Sequence, residues 1–360
     1  MFLDKLYLSN FKNYEEANFT FSSQVNCIVG ENGSGKTNLL DAVYFLALSK
    51  SAIHSQDALN INHDADVMMI DGVFMKGEKK HQITCSIQRG QRKVLMHDKK
   101  PYERLADHIG QFPVVLIAPD DTELIKNGSE GRRRFFDGVL SQMDNDYLTD
   151  YQHYNKLFDQ RNSLLKIFFE RNFLDPDLLD TYSDPLVKLA IKIFDQRKNF
   201  IEKFLPFFRK HYQILGEGRE EVEIVYESEV ASGDFVKEFR LNRQTDVKAQ
   251  RTTKGIHKDD YVFEIGRYPV KKFGSQGQQK SFVMALRLAQ FEMIEELRGV
   301  KPILLLDDIF DKLDDRRIQK LIESIDNQTF GQVFISDARP ERTEKILENV
   351  KAEINYIRIK

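Results

Sequence analysis

Apolar and polar positions change their period twice along the chain. Up to residue 118 short alternating runs predominate: Phe2–Leu8 and Gln24–Val29 read as strands bounded by turn residues. Three further strand-like runs between Val67 and Met96, punctuated by Gly72, Gly77 and Gly90, predict an antiparallel meander. One helix interrupts them, Asn38–Leu48, with Leu39, Ala42, Val43, Leu46 and Ala47 at helical spacing. Val114–Ala118 is wholly apolar and stops at Pro119, which predicts a central strand buried on both faces.

From Asp120 the apolar residues recur at three- and four-residue steps, through Leu140, Tyr147, Tyr154, Leu165 and Phe168, then again from Leu186 through Ile193, Phe200 and Phe208. Pro176 and the Asp184-Pro185 dipeptide are expected to break the helices between those blocks. After Thr252 strands return at Tyr261–Ile265, Pro302–Leu306, Gln332–Ile335 and Ile354–Ile359, around a helix at Gln279–Leu297. Strands alternating with helices predict an α/β fold with a largely parallel sheet plus the meander. The expected domains are a discontinuous head, residues 1–118 and 252–360, and an inserted, mainly α-helical arm lobe, residues 119–251.

Composition narrows the class. Lys+Arg number 53 against 56 Asp+Glu in 360 residues, for a formal charge of −3, and 30% of residues are charged. The longest apolar run, Ala42–Leu48, is far short of the roughly 18 residues of a membrane span, and Asp4 and Lys5 interrupt the first hydrophobic stretch, so neither a span nor a secretory leader is expected. Two cysteines, Cys27 and Cys85, make no disulfide framework and fit a reducing, cytoplasmic setting.

The chemistry concentrates in three places. Gly30-Glu31-Asn32-Gly33-Ser34-Gly35-Lys36-Thr37 matches G-x-x-x-x-G-K-[ST] between a strand and a helix. Glycines there let successive N–H groups face a phosphate, the helix N-terminus adds positive potential, Lys36 reaches the β- and γ-phosphates of ATP and Thr37 ligates Mg²⁺. Asp307-Asp308 ends an apolar strand, where a carboxylate meets that Mg²⁺: Asp307 is the metal-side group, and Asp308 a candidate to orient or deprotonate water. Phe273–Ser281, with Gly274 and Gly277, is a second small-residue turn opening a helix, suited to an anion, though taken alone it fits a plain N-cap better.

These motifs in this order resemble the ABC/SMC class of ATPases, and further segments are similar to one family within it, RecF. They are Leu8–Tyr14, Gly131–Asp137, Tyr154 through Leu165, Gly255–Asp260, Ser275–Gln279, and Leu305–Asp308 through Asp314. The resemblance spans nearly the whole chain. It implies a P-loop ABC-type head bearing ATP and Mg²⁺, a second copy whose Ser275, Gly277 and Gln278 cap the nucleotide, and Asp314 in a loop crossing that interface. It also implies weak ATPase activity, DNA as a partner at gaps or single-strand/duplex junctions, RecO and RecR mediators, loading of a recombinase, and roles in replication and the SOS response. Ile256 and Lys258 depart from the family's usual proline and arginine. Ser336-Asp337 stands where transport ATPases keep a switch histidine, and Pro119-Asp120-Asp121 replaces a glutamine loop, leaving one Mg²⁺ or water contact unassigned.

Nine basic residues against three acidic ones between Lys76 and Arg104 suit a phosphate backbone, and a polar outer sheet face accounts for the same count. The second arm helix is basic as well, at Lys188, Lys192, Arg197, Lys198, Lys203, Arg209 and Lys210, while Arg132–Arg134 suit carboxylate partners. Phe11 and Tyr14 could touch adenine, but core packing fits both better. Rival readings are a transporter's nucleotide-binding subunit, an SMC-like tether and a P-loop kinase. About 240 residues between loop and signature turn, an arm too short for a long coiled coil, and the Ser275–Gln279 turn weigh against them in that order.

Overall fold

The first helix is apolar on nearly every side, so it must be covered on nearly every side. In the computed structural model, which describes residues 1–216, 220–311, 315–327 and 329–359, helix α1 (Lys36–Leu48) packs against two different sheets. The chain forms two compact units, residues 1–121 with 284–360 and residues 122–283. The predicted boundaries, 118/119 and 251/252, differ from these. Residues 252–283 pack with the second unit because the strand at Asp260–Ile265 pairs with one at Val222–Glu227.

In the first unit, β1 (Phe2–Phe11), β2 (Tyr14–Thr20), β3 (Val25–Val29), β4 (Val67–Lys76), β5 (Lys79–Gln88), β6 (Val94–His97), β7 (Lys100–Pro101) and β8 (Val114–Ile117) precede the insertion. An antiparallel sheet runs β2-β1-β4-β5-β6-β7. Strand β2, which the sequence pattern did not distinguish from a loop, extends it. Helix α1 lies against β4 and β5 on one side and β8 on another. Gly72 in β4 lets it approach, since a Cβ there would stand 2.5 Å from Leu46 Cδ1. Leu39, Val43, Phe45 and Leu46 are fully buried, and truncating such a side chain to alanine costs about 2–5 kcal/mol.

The second unit holds α2 (Glu123–Lys126), α3 (Ser129–Met143), α4 (Asn145–Glu170), α5 (Pro176–Gly216), β9 (Val222–Glu227), α6 (Phe235–Leu241), α7 (Arg243–Ala249), β10 (Asp260–Ile265), β11 (Tyr268–Pro269), α8 (Val270–Phe273) and the start of α9 (Gln276–Arg298). The expected break at Pro185 does not occur: α5 begins at Pro176, a suitable first position, and continues through Pro185 and Pro206. Burial of Leu179, Ser183, Leu186 and Val187 and packing along α4 outweigh the missing hydrogen bond. Asp144 caps α4, accepting from the amides of Asp146 and Tyr147.

Two guanidiniums anchor this lobe. Arg161 lies 2.9 Å from Asp246 and donates to Ser183 and Thr252. Arg197 reaches Asp137 at 2.9 Å and Asp259 at 2.7 Å. Arg197 is therefore a core residue, correcting its place among the basic surface positions of α5; Arg209 and Lys192 pair with Glu223 and Asp150. Arg132 forks onto Asp260 at 2.8 and 2.9 Å, Arg133 donates to Ser129 and the Asp259 carbonyl, and Arg134 pairs with Glu130, as carboxylate-seeking arginines would.

The chain then returns to the first unit through β12 (Ile303–Leu306), α10 (Asp315–Asp326), β13 (Val333–Asp337), α11 (Pro340–Leu347) and β14 (Ile354–Arg358). These complete a parallel sheet in the order β14-β3-β13-β12-β8. Strand β8 is its edge, not its centre: an all-apolar run reports burial, here supplied in part by α1, and not rank within the sheet. The order puts the exit of β3 and the exit of β12 on the same sheet end, separated only by β13, where ligands of parallel sheets collect.

Candidate functional site

Strand β3 is buried along its whole length and delivers the chain at Gly30. Gly33 and Gly35 then take φ of 85° and 112°, a region that L side chains resist, and so turn the loop back toward α1. Lys36 is 4% exposed, and its ammonium donates to the carbonyls of Gly30 and Glu31, both at 3.0 Å, spanning the loop from inside. Ser34 Oγ is buried with no hydrogen-bond partner. Glu31, Asn32 and Gly33 form the exposed rim. A cradle with an unpaired hydroxyl and a cation satisfied only by carbonyls has the donors for a triphosphate.

Thr37 Oγ1 donates to Asp307, 3.1 and 3.0 Å from its two carboxylate oxygens. Ser336 Oγ donates to Asp307 Oδ1 at 2.6 Å and accepts from the Asp308 amide at 2.9 Å. One serine thus clips both aspartates, and parallel pairing of Leu306 with Ile335 brings it there. Asp307 is 7% exposed, and burial raises its carboxyl above the usual range against the pull of Ser336, Thr37 and Lys36. A hydroxyl beside a carboxylate desolvated among neutral partners is a donor set for a hard divalent cation such as Mg²⁺. Asp308 sits at φ 41°, so the chain turns sharply away from the strand direction at this residue.

Two features carry no local sequence signal. Ser336 shows in the sequence only as the absence of a histidine. Asn13 Nδ2 donates to the Ser34 carbonyl at 3.1 Å and Tyr14 Oη to the Gly35 carbonyl at 3.0 Å, so the β1–β2 turn braces the phosphate loop from outside. Phe11 belongs to the core, edge-on to Phe45. Of the glutamine-loop substitutes, Asp121 is engaged by Arg287 and by the Ala118 amide, while Asp120 is exposed and adds to the raised pKa of Asp307. Asp337 accepts from the Arg339 amide and the Thr343 hydroxyl, tying the end of β13 to the start of α11.

In the second unit, Ser275 and Gln278 close a reciprocal capping box: Gln278 Oε1 accepts from the Ser275 amide at 2.6 Å, and the Gln278 amide donates to Ser275 Oγ at 3.2 Å. Gln278 also bonds Glu220. Ser275 is exposed and Gly277 half-buried at the head of α9. Asp314 lies outside the described residues.

The basic meander divides. Lys93 pairs with Asp57, Arg89 with Asp66, Arg104 with Asp107, and Lys76 lies over the Phe112 ring, whereas Lys79, Lys80, Arg92, Lys99 and Lys100 project at the surface. Both cysteines are buried, their thiols pushed up to about 12 by desolvation. Among the described residues no helix is long and apolar enough to cross a membrane.

Comparison with known proteins adds a further observation. The family model for the RecF/RecN/SMC N terminal domain matches residues 2–356. The chain is 48% identical to the DNA replication and repair protein RecF of Flavobacterium johnsoniae, with 97% of each covered. It is 44% identical to the protein of that name from Cytophaga hutchinsonii, covering 95% of this chain and 91% of the other. Among solved structures it is similar to RecF with ATP, a recombination mediator of the RecFOR pathway, at 30% identity and a TM-score of 0.85, covering 94% of this chain and 92% of that one. An SMC head bound to a winged-helix domain of ScpA shares the fold alone, at 16% identity and a TM-score of 0.54, over 94% of this chain and 90% of that one.

Proposed function

The chain belongs to the RecF family, and from that premise we propose that it is an ATP-dependent DNA-binding protein of recombinational repair and replication-gap processing, with slow Mg²⁺-dependent hydrolysis. The observation that carries this reading is the constellation of buried Lys36, Asp307 and Ser336 with the exposed Thr37 at one end of the parallel sheet. Bound Mg²⁺–ATP would supply the phosphoanhydride and the cation that polarises it. Lys36 would exchange its two carbonyl partners for phosphate oxygens, and Ser34 would gain the acceptor it lacks. Thr37 would turn from Asp307 toward the cation, while Ser336 keeps Asp307 oriented. Asp308 would orient the attacking water and receive its proton, with less reach than a glutamate. We assign Asp120, whose charge is felt at Asp307, to the remaining solvent-side contact.

Two copies would close on the nucleotide, Ser275, Gly277 and Gln278 of each facing the triphosphate held by the other, a reading supported by the exposure of Ser275 at a helix N-terminus. Lys79, Lys80, Arg92, Lys99 and Lys100 would follow a DNA backbone without reading bases. RecO- and RecR-type mediators would be its partners, a reading supported by the RecFOR pathway named for the RecF structure similar to this chain, and recombinase loading would be the step they serve. Sizing by light scattering, with and without ATP and gapped DNA, tests the reading. The wild type is expected to dimerise with ATP and to turn over well below the enzyme median of about 10 per second, Lys36→Met to stay monomeric, and Asp308→Asn to accumulate as dimer and hydrolyse more slowly than the wild type. Nucleotide-loaded wild type that stays monomeric on gapped DNA overturns the dimer mechanism.

A further inference from the structure

The antiparallel sheet carries a second cluster of ligating groups, away from the phosphate loop. His81 on β5 and His97 on β6 lie on one face of the sheet, and Asp98 opens the turn into β7. His81 Nδ1 is 2.9 Å from His97 Nε2, and His97 Nε2 is 3.4 Å from Asp98 Oδ2. The three donor atoms all lie within 4.8 Å of one another.

Their placement is fixed by neighbours. The His97 ring stacks on Tyr102 and meets Phe112 edge-on, and His81 meets the same Phe112. Asp98 and Lys99 take φ of 49° and 65°, the two left-handed positions of a tight hairpin turn. Asp98 Oδ1 accepts from the Gln82 amide at 2.8 Å, which leaves Oδ2 toward His97.

We propose that His81, His97 and Asp98 form a three-ligand site for zinc or a similar divalent transition metal, which staples β5 to the β6–β7 hairpin. Two imidazole nitrogens and one carboxylate oxygen, with a solvent position remaining, are the donor set of open zinc sites. Bonds of about 2.0–2.1 Å at a tetrahedral angle place neighbouring donors about 3.4 Å apart. The His97–Asp98 edge already has that length, the histidine pair must open by roughly half an ångström, and the third edge, His81 to Asp98, lies within 4.8 Å. At 2.9 Å one ring must donate and the other accept. Metal binding moves the shared proton to the far nitrogen of its own ring, so both facing nitrogens become ligands without net proton release. Lys76 and Lys79 oppose a cation here, and the Asp98 carboxylate offsets them.

Chelator-treated full-length protein, in excess Mg²⁺ to fill oxygen-lined sites, is titrated with Co²⁺ and read by visible d–d absorption, then displaced with Zn²⁺. One equivalent with a four-coordinate spectrum is expected, together with a rise in melting temperature on adding Zn²⁺. His97→Ala should abolish the signal, and His63→Ala, at an exposed position elsewhere, should keep it. Asp98→Asn preserves the left-handed turn and the bond from Gln82, so it tests the ligand without unfolding the hairpin; its affinity should fall at least tenfold. No d–d signal in the wild type, or a signal of undiminished affinity in Asp98→Asn, overturns the site.

Discussion

Each unit buries a polar network, and the two differ in what answers the carboxylate. In the second unit, Asp137 and Asp259 touch Arg197 and Asp246 touches Arg161, guanidiniums that are 1% or less exposed. Tyr147 and Tyr226 donate further, each at 2.5 Å. In the first unit, Asp307 is almost as deeply buried, yet its side-chain hydrogen bonds come from the neutral hydroxyls of Thr37 and Ser336. A carboxylate that already touches a cation is part of the scaffold. One left among hydroxyls bears a desolvation cost that a bound cation would relieve, and that singles out the candidate site.

The largest effect should come from breaking the scaffold network. Arg197→Met strands Asp137 and Asp259, and removing one partner of a buried pair costs about 3–5 kcal/mol. Urea denaturation should show that loss, and adding Asp137→Asn and Asp259→Asn should restore most of it. If Arg197→Met is as stable as the wild type, the network is not an anchor of the lobe.

Acid should weaken both units through a buried histidine in each. His108 is fully buried, 2.6 Å from the Leu46 carbonyl at Nε2 and 3.2 Å from Tyr102 Oη at Nδ1, and desolvation lowers its pKa to about 4. His257 is likewise lowered to about 4 by burial and by Lys258. The unfolded chain takes up these protons near pH 6.5, while the folded chain holds them off until about 4, so stability falls as pH drops through that window. For His108 the loss is about 3 kcal/mol. Denaturation midpoints at pH 7 and pH 4.5, with His108→Gln as reference, measure it. Asp307 runs the other way: its raised pKa means that the folded chain takes up the proton first, so acid relieves a cost there.

Asp307→Asn isolates that relief. The amide still accepts from Ser336 while the buried charge is gone, so the unliganded protein should be no less stable than the wild type, in contrast to Arg197→Met. Mg²⁺–ATP affinity should fall about a hundredfold, roughly 2.7 kcal/mol, by calorimetry. A variant that binds Mg²⁺–ATP normally removes Asp307 from the metal side.

What could be read from the sequence follows the range of the interactions. The phosphate loop was legible because its chemistry lies within eight consecutive residues, and Asp307-Asp308 because they end an unmistakable strand. Ser336 was not, since only the parallel pairing of β12 with β13 brings it beside them across 28 residues. Arg197 looked like its exposed neighbours because a 3.6-residue period places a residue on a face without saying what covers that face. Strand β8 and the helix through Pro185 failed for a related reason, tertiary cover overriding a local signal.

The smallest effect sharpens the comparison most, because it touches the site without touching its charges. Tyr14 Oη donates to the Gly35 carbonyl at 3.0 Å, and Gly35, at φ 112°, has no room for a Cβ, which would stand 2.5 Å from Asn13 Nδ2. In Tyr14→Phe the ring keeps its edge-on contact with Phe19, and the Gly35 carbonyl keeps the Leu39 amide at 2.9 Å, so no buried acceptor is orphaned. Only the brace is lost, about 1 kcal/mol. If the brace holds the loop in its phosphate-accepting shape, the loss appears as roughly fivefold weaker ATP binding with little change in unliganded stability. The reverse result, lower stability with unchanged affinity, would make Tyr14 a core residue and leave the shape of the loop to its glycines alone.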